Sequence, residues 1–442
     1  MVRERRTGIG LLQGVALYTG ALLGSGVLAF PALAARQAGP ASLLAWAGLV
    51  LLSVPLASTF AALAGRHPDA GGVATFAARA FGPRWAAVVG WWFYVTVPVG
   101  IPVLGLFGGA YVAAATGGGR ATTLAVAAAL LAVSLVANWI GLRLSGRLQL
   151  ALAALLAALL TVAIVTSAPH ARAANLHPFA PHGWLAVGGA ASLLVWSFAG
   201  WETVTHLAAE FADPARDLRR ATAASLALIG VLYLGLATVS VLVLGPRLEQ
   251  VDAPLALLLA RGAGGSVSAG TAAAVVAVVV TLGTMNAYVA SAARLGAALG
   301  RDGSLPGWLA KGGQAGEVPR RSLATIATGT AISLAGLLVT GADGHVLVLA
   351  TTSCLAAIYA VGCAAGVRLL PRGSLGRRAA VVATVLVAGL LLLAGPFLAW
   401  PLLLAAGALT TRRAVTRRGG AHGPAAGPVH PHERPVHDPS AP

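Results

Sequence analysis

Two short stretches of this chain hold residue types that the middle of an apolar helix rarely tolerates. The first is Gly24-Ser25-Gly26, followed by Phe30-Pro31. Two glycines one residue apart weaken a helix and admit close backbone approach. The second is Trp196-Ser197-Phe198-Ala199-Gly200-Trp201-Glu202, where a glycine precedes a carboxylate by two residues. Taken singly, each has an ordinary explanation. Small residues pack membrane helices together, a buried Phe is usually core, and a Glu can brace a helix end. Both together suit one chemistry, the binding of a zwitterion. N–H groups at the start of one half-helix hold a carboxylate, and carbonyls at the end of another hold an ammonium. Glu202 adds a titratable group where a charge costs ~3 kcal/mol or more, which makes it a functional candidate by default.

The elements that must position these residues follow from composition. Of 442 residues, 57% are apolar and 10% charged, and the mean hydropathy is +0.82. Soluble domains carry about 25% charged residues. Apolar stretches of about 20 residues, each able to cross a ~30 Å hydrocarbon core as a helix, recur along the first 411 positions. Short alternating segments of a β-barrel are absent. The expected class is an all-α membrane protein of about twelve transmembrane helices. The spans are read near 8–36, 41–64, 84–114, 121–140, 146–167, 184–211, 219–245, 266–299, 322–340, 344–368, 379–395 and 397–411. The basic start, Arg3, Arg5 and Arg6, precedes an apolar segment without a cleavage site, so that segment is expected to stay as the first span. Gly395-Pro396 barely separates the last two.

The two anomalies fall in spans 1 and 6, five spans apart. Interrupted helices in corresponding positions of two halves point to a transporter site. A five-plus-five inverted repeat makes those spans equivalent, with repeats about 8–167 and 184–368. The organisation expected is a cytoplasmic N-terminus (1–7), a ten-helix transport core (8–368), two additional helices (369–411) and a disordered cytoplasmic tail (412–442). The tail holds His422, His430, His432 and His437, without ordered metal-ligand spacing.

The net charge of +17 does not mark a nucleic-acid binder, because the cations sit in short loops and at the ends. With the N-terminus inside, 25 of the 30 Lys and Arg residues fall on the cytoplasmic side, leaving Arg36, Arg120, Arg172, Arg247 and Arg261 outside. That asymmetry orients the protein and puts both termini in the cytoplasm. All the cations except Lys311 are Arg, a bias that fits a GC-rich bacterial genome and hence a bacterial inner membrane. Cys354 and Cys363, nine residues apart in one apolar segment, are not placed to form a disulfide.

Three stretches resemble the amino acid–polyamine–organocation superfamily. They are Leu23-Gly24-Ser25-Gly26-Val27 with Phe30-Pro31-Ala32-Leu33; Gly65-Arg66-His67-Pro68-Asp69-Ala70-Gly71-Gly72-Val73 on to Ala80-Phe81-Gly82; and Phe198-Ala199-Gly200-Trp201-Glu202 through His206 to Asp217. The likeness covers about residues 8–411. His206 to Asp217 and Pro98-Val99-Gly100 make the chain similar to the bacterial methionine and branched-chain amino acid exporters. The resemblance implies a leucine-transporter-like fold and alternating access. It implies carboxylate binding at Gly24, Ser25 and Gly26 and ammonium binding at Phe198, Ala199 and Gly200, with Trp201 beside them and Glu202 in proton-linked gating. Thr284, Asn286 and Ser353 are further pocket candidates.

The function expected is secondary active export of hydrophobic L-amino acids (methionine, leucine, isoleucine, valine), proton-coupled through Glu202. The alternatives are an uptake permease or exchanger of the same superfamily and a transport-inactive sensor or scaffold. Span 5 has no ionisable residue between Gln149 and Ser167, so a buried ammonium does not stand in for sodium there. Sodium would rest on backbone carbonyls and hydroxyls such as Ser291. The expected partners are an amino acid, protons and the lipid bilayer, with no nucleic acid. Neither a metal nor a cofactor is expected, and the chain shows no catalytic cluster and no phosphate-binding Gly-rich loop with Lys. Asp213, Arg216, Asp217, Arg219 and Arg220 could form an inner gate with Arg66 or Asp69, or be solvated charges.

Overall fold

The computed structural model describes residues 11–67, 72–141, 146–202, 214–264, 267–314, 317–341 and 344–420, and these are helical throughout their regular elements. In chain order the helices are α1 (Leu11–Leu22), α2 (Phe30–Ala38), α3 (Ser42–Arg66), α4 (Gly72–Phe81), α5 (Pro83–Thr116), α6 (Arg120–Trp139), α7 (Gly146–Ser167) and α8 (Leu185–Leu194). They continue with α9 (Pro214–Leu244), α10 (Pro254–Gly262), α11 (Val267–Arg301), α12 (Arg320–Thr340), α13 (His345–Leu369), α14 (Leu375–Leu393) and α15 (Ala399–Gly420). Helix α15 continues past the end near 411 read from the sequence. The His-rich stretch from 421 onward, the His206–Asp213 part of the motif and Pro68–Gly71 lie outside the described residues.

Among the described residues, nine helical segments are long and apolar enough to cross a membrane, and three shorter apolar ones are Leu11–Leu22, Leu185–Phe198 and Gly395–Thr411. Large apolar side chains such as Leu51, Val136, Val231, Ile332 and Val385 are exposed. In water that surface would be an aggregation liability, whereas in lipid it is the natural outer face. Trp85, Trp139, Trp184 and Trp308 are exposed at or beyond helix ends, where amphipathic rings settle at membrane interfaces.

Helix α5 is the central post. It has 34 residues and is about 51 Å long at 1.5 Å per residue. It packs on α4, α6, α11, α12, α13 and α15. Two thirds of the most apolar window of α5 and of α13 is buried, against 17% for α14, so the first two form the core and α14 the periphery. Small residues permit this closeness: a side chain at Gly105 would start 3.2 Å from the Ala127 carbonyl of α6.

Each end of the bundle is tied by loop cations. At one end, Arg36 bonds to the 249–252 segment, Arg120 donates to the Gly341 carbonyl and Arg261 to that of Val243. At the other, Arg301 donates to Gly313, Arg321 to Trp308, and Arg320 lies over the Trp139 ring. The first end carries the five arginines that the cation asymmetry sets apart from the rest.

Candidate functional site

Helix α1 stops at Leu22. The Leu23 N–H turns back to the Thr19 carbonyl (2.8 Å) and the Gly24 N–H to that of Leu22 (2.9 Å). Gly24 is extended (φ −96°, ψ 175°), a 3₁₀ turn covers Ser25–Leu28, and α2 begins at Phe30. Pro31 suits that start because the first turn of a helix needs no N–H donors. The first bond of the 3₁₀ turn runs from Val27 N–H to the Gly24 carbonyl (3.4 Å). The N–H groups of Ser25 and Gly26 therefore stand at its open start. The Ser25 hydroxyl is buried and has no hydrogen-bond partner among the described residues.

The second interruption mirrors the first in kind. Helix α8 tightens into a 3₁₀ turn over Val195–Phe198, and then Ala199 is extended (φ −76°, ψ 135°). Gly200 has φ +132°, a conformation that only glycine adopts easily. The last carbonyls of the 3₁₀ turn lose their helical partners at this point. The Ser197 hydroxyl is also buried without a partner among the described residues.

The fold brings the two interruptions together. A side chain at Gly200 would start 3.0 Å from the Ala21 carbonyl oxygen and 3.3 Å from a Leu22 methyl. Tyr233 of α9 donates to the Leu22 carbonyl (2.8 Å) and Tyr111 of α5 to the Leu28 carbonyl (2.8 Å). Tyr111 also accepts from the Leu255 N–H of α10 (3.2 Å). Two tyrosines thus pin the backbone on either side of Gly24–Gly26, where helical bonds are missing.

Glu202 folds back over its own break. Its Oε2 accepts from the Gly200 N–H (3.0 Å) and from the Tyr359 hydroxyl of α13 (2.6 Å). The Gly200 N–H also lies 2.9 Å from the Tyr359 oxygen. A carboxylate, a backbone amide and a phenol therefore meet in one buried triangle. The 2.6 Å contact is at the short end for an O–H···O bond.

The other sequence candidates divide. Trp201 is fully buried, donates from Nε1 to the Ser53 hydroxyl (3.2 Å) and sits 5.9 Å from the Tyr18 ring. Phe198 packs edge-on against Tyr233 (5.3 Å) and beside Trp46 (6.0 Å), a setting of aromatic core. Thr284 faces the first break, its methyl 3.7 Å from where a Gly24 side chain would begin, while its hydroxyl donates to Val280. Asn286 accepts from Asn138 of α6 through Oδ1 (2.8 Å), and Ser353 donates to Ala350 (2.9 Å). Both are engaged within the bundle. Of the inner-gate charges, Asp69 and Asp213 lie outside the described residues. Burial first, then Arg79 and Arg66, lower the His67 pKa below its ordinary value.

Sequence reasoning did not single out Tyr359, Tyr233 or Trp196. The Trp196 ring touches Phe30 (6.1 Å) and lies against α5 where Gly100 leaves room, 2.9 Å from a would-be side chain. Thr281 and Thr351 hold buried hydroxyls, without a partner among the described residues, beside Gly108 and Gly100. No local spacing marks such residues, since they come from helices remote in sequence.

Above the first break, the Phe30 ring covers Gly26 and meets Phe107 edge-on (5.8 Å). Beyond them a cavity of about 640 Å³ opens at the cation-poor end, with Ala29 and Phe107 in its lining and Arg36, Arg120 and Asp252 among its charged residues.

Comparison with known proteins agrees with this architecture. The amino acid permease family matches residues 9–413. The chain is 32% identical over 406 residues to the uncharacterized amino acid permease YecA of Bacillus subtilis, covering 92% of this chain and 95% of the relative. It is 37% identical over 290 residues to the L-methionine/branched-chain amino acid exporter YjeH of Escherichia coli, covering 65% and 68%. It is 26% identical over 328 residues to the branched-chain amino acid permease BcaP of Bacillus subtilis, covering 69% of each. Taken with the apolar helical bundle and its two interrupted helices, these likenesses show that the chain is a multi-pass membrane protein belonging to the amino acid permease family, within the amino acid–polyamine–organocation superfamily.

Proposed function

We propose that the protein exports hydrophobic L-amino acids across a bacterial inner membrane by alternating access, with methionine, leucine, isoleucine and valine as substrates. The observation that carries this reading is the meeting of two helix interruptions. One offers the open N–H groups of Ser25 and Gly26, and the other offers carbonyls beside Ala199 and Gly200. Such a pair holds the carboxylate and ammonium of an α-amino acid with backbone alone. Two buried hydroxyls, on Ser25 and Ser197, have no partner among the described residues, lie in the same turns and support a polar ligand there. Export and this substrate range are favoured by the likeness to YjeH. Import is the competing direction, favoured by the likeness to BcaP.

In this reading α1 and α2 make span 1, α8 and the break that ends at Glu202 belong to span 6, and the chain crosses twelve times with both termini in the cytoplasm. Residues 8–368 form the ten-helix core of two inverted repeats. Glu202 couples transport to protons, because its Oε2 bonds both to the broken backbone and to Tyr359 of another helix. A change in its proton occupancy would alter both contacts, and substrate and proton affinities would be linked reciprocally. The test is flux of labelled amino acids in proteoliposomes, with and without a pH gradient. Counterflow of leucine and methionine, accelerated by the gradient, is expected. Absence of flux for every hydrophobic amino acid would overturn the proposal.

A further inference from the structure

We infer that the crevice among α6, α11 and α12, at the cation-rich end of the bundle, holds the headgroup of an anionic phospholipid, with Arg294 and Arg320 on its phosphate. The inference rests on the membrane location of the bundle and not on the substrate or direction of transport.

Close helix ends build the crevice. The C-terminal end of α6 meets the segment before α12 so tightly that a side chain at Gly141 would start 3.1 Å from a Val318 methyl. The space left beside that contact is about 30 Å³, with Asn138 of α6, Arg294 of α11 and Pro319 in its lining. It is too small to enclose an amino acid, so a ligand rests at its mouth.

The arginines at this end divide into two sets. Arg301 and Arg321 are spent on backbone, donating to the carbonyls of Gly313 (3.0 Å) and Trp308 (3.2 Å). Arg294 and Arg320 are exposed and, among the described residues, their side chains have no acceptor and no ion pair. The Arg320 guanidinium lies over the Trp139 ring, 5.9 Å from its centroid. A contact with a ring face steadies a guanidinium and uses none of its five N–H donors. The N-terminus of α12, which no side chain caps, adds a dipole that favours an anion at the same place. Glu317 is the opposing charge in the lining. Its Oε2 accepts from the Gln314 N–H (3.3 Å), which draws it into its own turn.

The apolar surface beside the arginines selects a lipid over a free anion. Trp139, Val136 and Ala132 are exposed on one face of α6, at i, i−3 and i−7, and form a strip leading from Arg320 towards the bilayer core. A phosphate tethered to acyl chains meets the guanidinium groups and this strip together, whereas a free phosphate meets only the charges. Basic pockets between transmembrane helices take anionic headgroups in this way. The bound lipid ties α12 to α11, the helix whose Thr284 faces the first break.

Binding of tritiated phosphatidylglycerol to the purified full chain in detergent tests this. A saturable equivalent per chain is expected, which phosphatidylcholine at equal concentration does not displace. Each arginine beside an anionic headgroup contributes about fivefold in affinity, so Arg294→Gln with Arg320→Gln should weaken binding about thirtyfold. Arg372→Gln with Arg378→Gln removes two exposed arginines at the α13–α14 connection and should leave binding unchanged. All four positions are exposed, and a size-exclusion profile establishes that both double variants are folded. Equal competition by phosphatidylcholine, binding that survives Arg294→Gln with Arg320→Gln, or an equal loss in both double variants overturns the site. Displacement by millimolar inorganic phosphate also overturns it, by making the crevice a site for a free anion.

Discussion

Gly200→Ala is the sharpest probe of how the two interruptions meet. At φ +132° an alanine is strained by about 1–3 kcal/mol. Its Cβ would also start 3.0 Å from the Ala21 carbonyl oxygen and 3.2 Å from the Ala21 carbonyl carbon, backbone atoms that cannot rotate aside. Relieving that overlap adds ~1 kcal/mol or more. The conformation in which the two breaks touch should lose about 2 kcal/mol at least, roughly thirtyfold in population. Labelled leucine binding to the purified protein in nanodiscs measures this, with size-exclusion and thermal-melt profiles establishing that the variant is folded. Gly48→Ala is the control: it lies within α3, nothing stands within 4 Å of the added methyl, and alanine favours the helix. Binding should fall about thirtyfold for Gly200→Ala and hold for Gly48→Ala. Leucine affinity within twofold of wild type in folded Gly200→Ala would refute the facing-break geometry as the site.

Gly26→Val places a branched side chain 2.6 Å from the Phe30 ring, beside the open N–H groups. Membrane insertion should persist while substrate binding falls sharply, which a surface-labelling assay and leucine binding check together. Glu202→Gln keeps the shape and removes the titration, so it should retain binding and flatten the pH dependence of flux; a wild-type pH profile would reduce Glu202 to a brace. Tyr359→Phe deletes the hydroxyl bonded to Glu202 and should shift the same profile without abolishing expression. A reporter fused after Pro442 should be active only in the cytoplasm, and periplasmic activity would reverse the orientation.

Much of the helical layout was legible in the residues because apolar runs long enough to span lipid have one stable form, a helix with its backbone bonded internally. The stretch read as 84–114 is α5, Pro83–Thr116, and that read as 344–368 is α13, His345–Leu369. Gly24-Ser25-Gly26 and Gly200 announced helix interruptions for a local reason: glycine frees the backbone where it stands. Intramembrane Glu202 announced itself by the cost of its charge.

The tertiary structure alone decided what those interruptions face. Tyr359 lies 157 residues from Glu202 and Tyr233 lies 211 from Leu22, yet both are in hydrogen-bond contact. Nothing in the spacing of single residues encodes such pairs, since helix packing sets them through side-chain fit. The same holds for Asn286. Its amide looked available for a pocket, but α6 approaches α11 closely enough for Asn138 to take it. Phe198 turns its ring onto Trp46 and Tyr233. Arg36 read as one more loop cation, and only the packing of α2 on the 249–252 segment made it a fixed guanidinium at the mouth of a cavity. The sequence determined which segments are helices and where they break, because those outcomes depend on neighbours along the chain. Which groups meet at the breaks depended on how the helices pack, a property of the whole bundle.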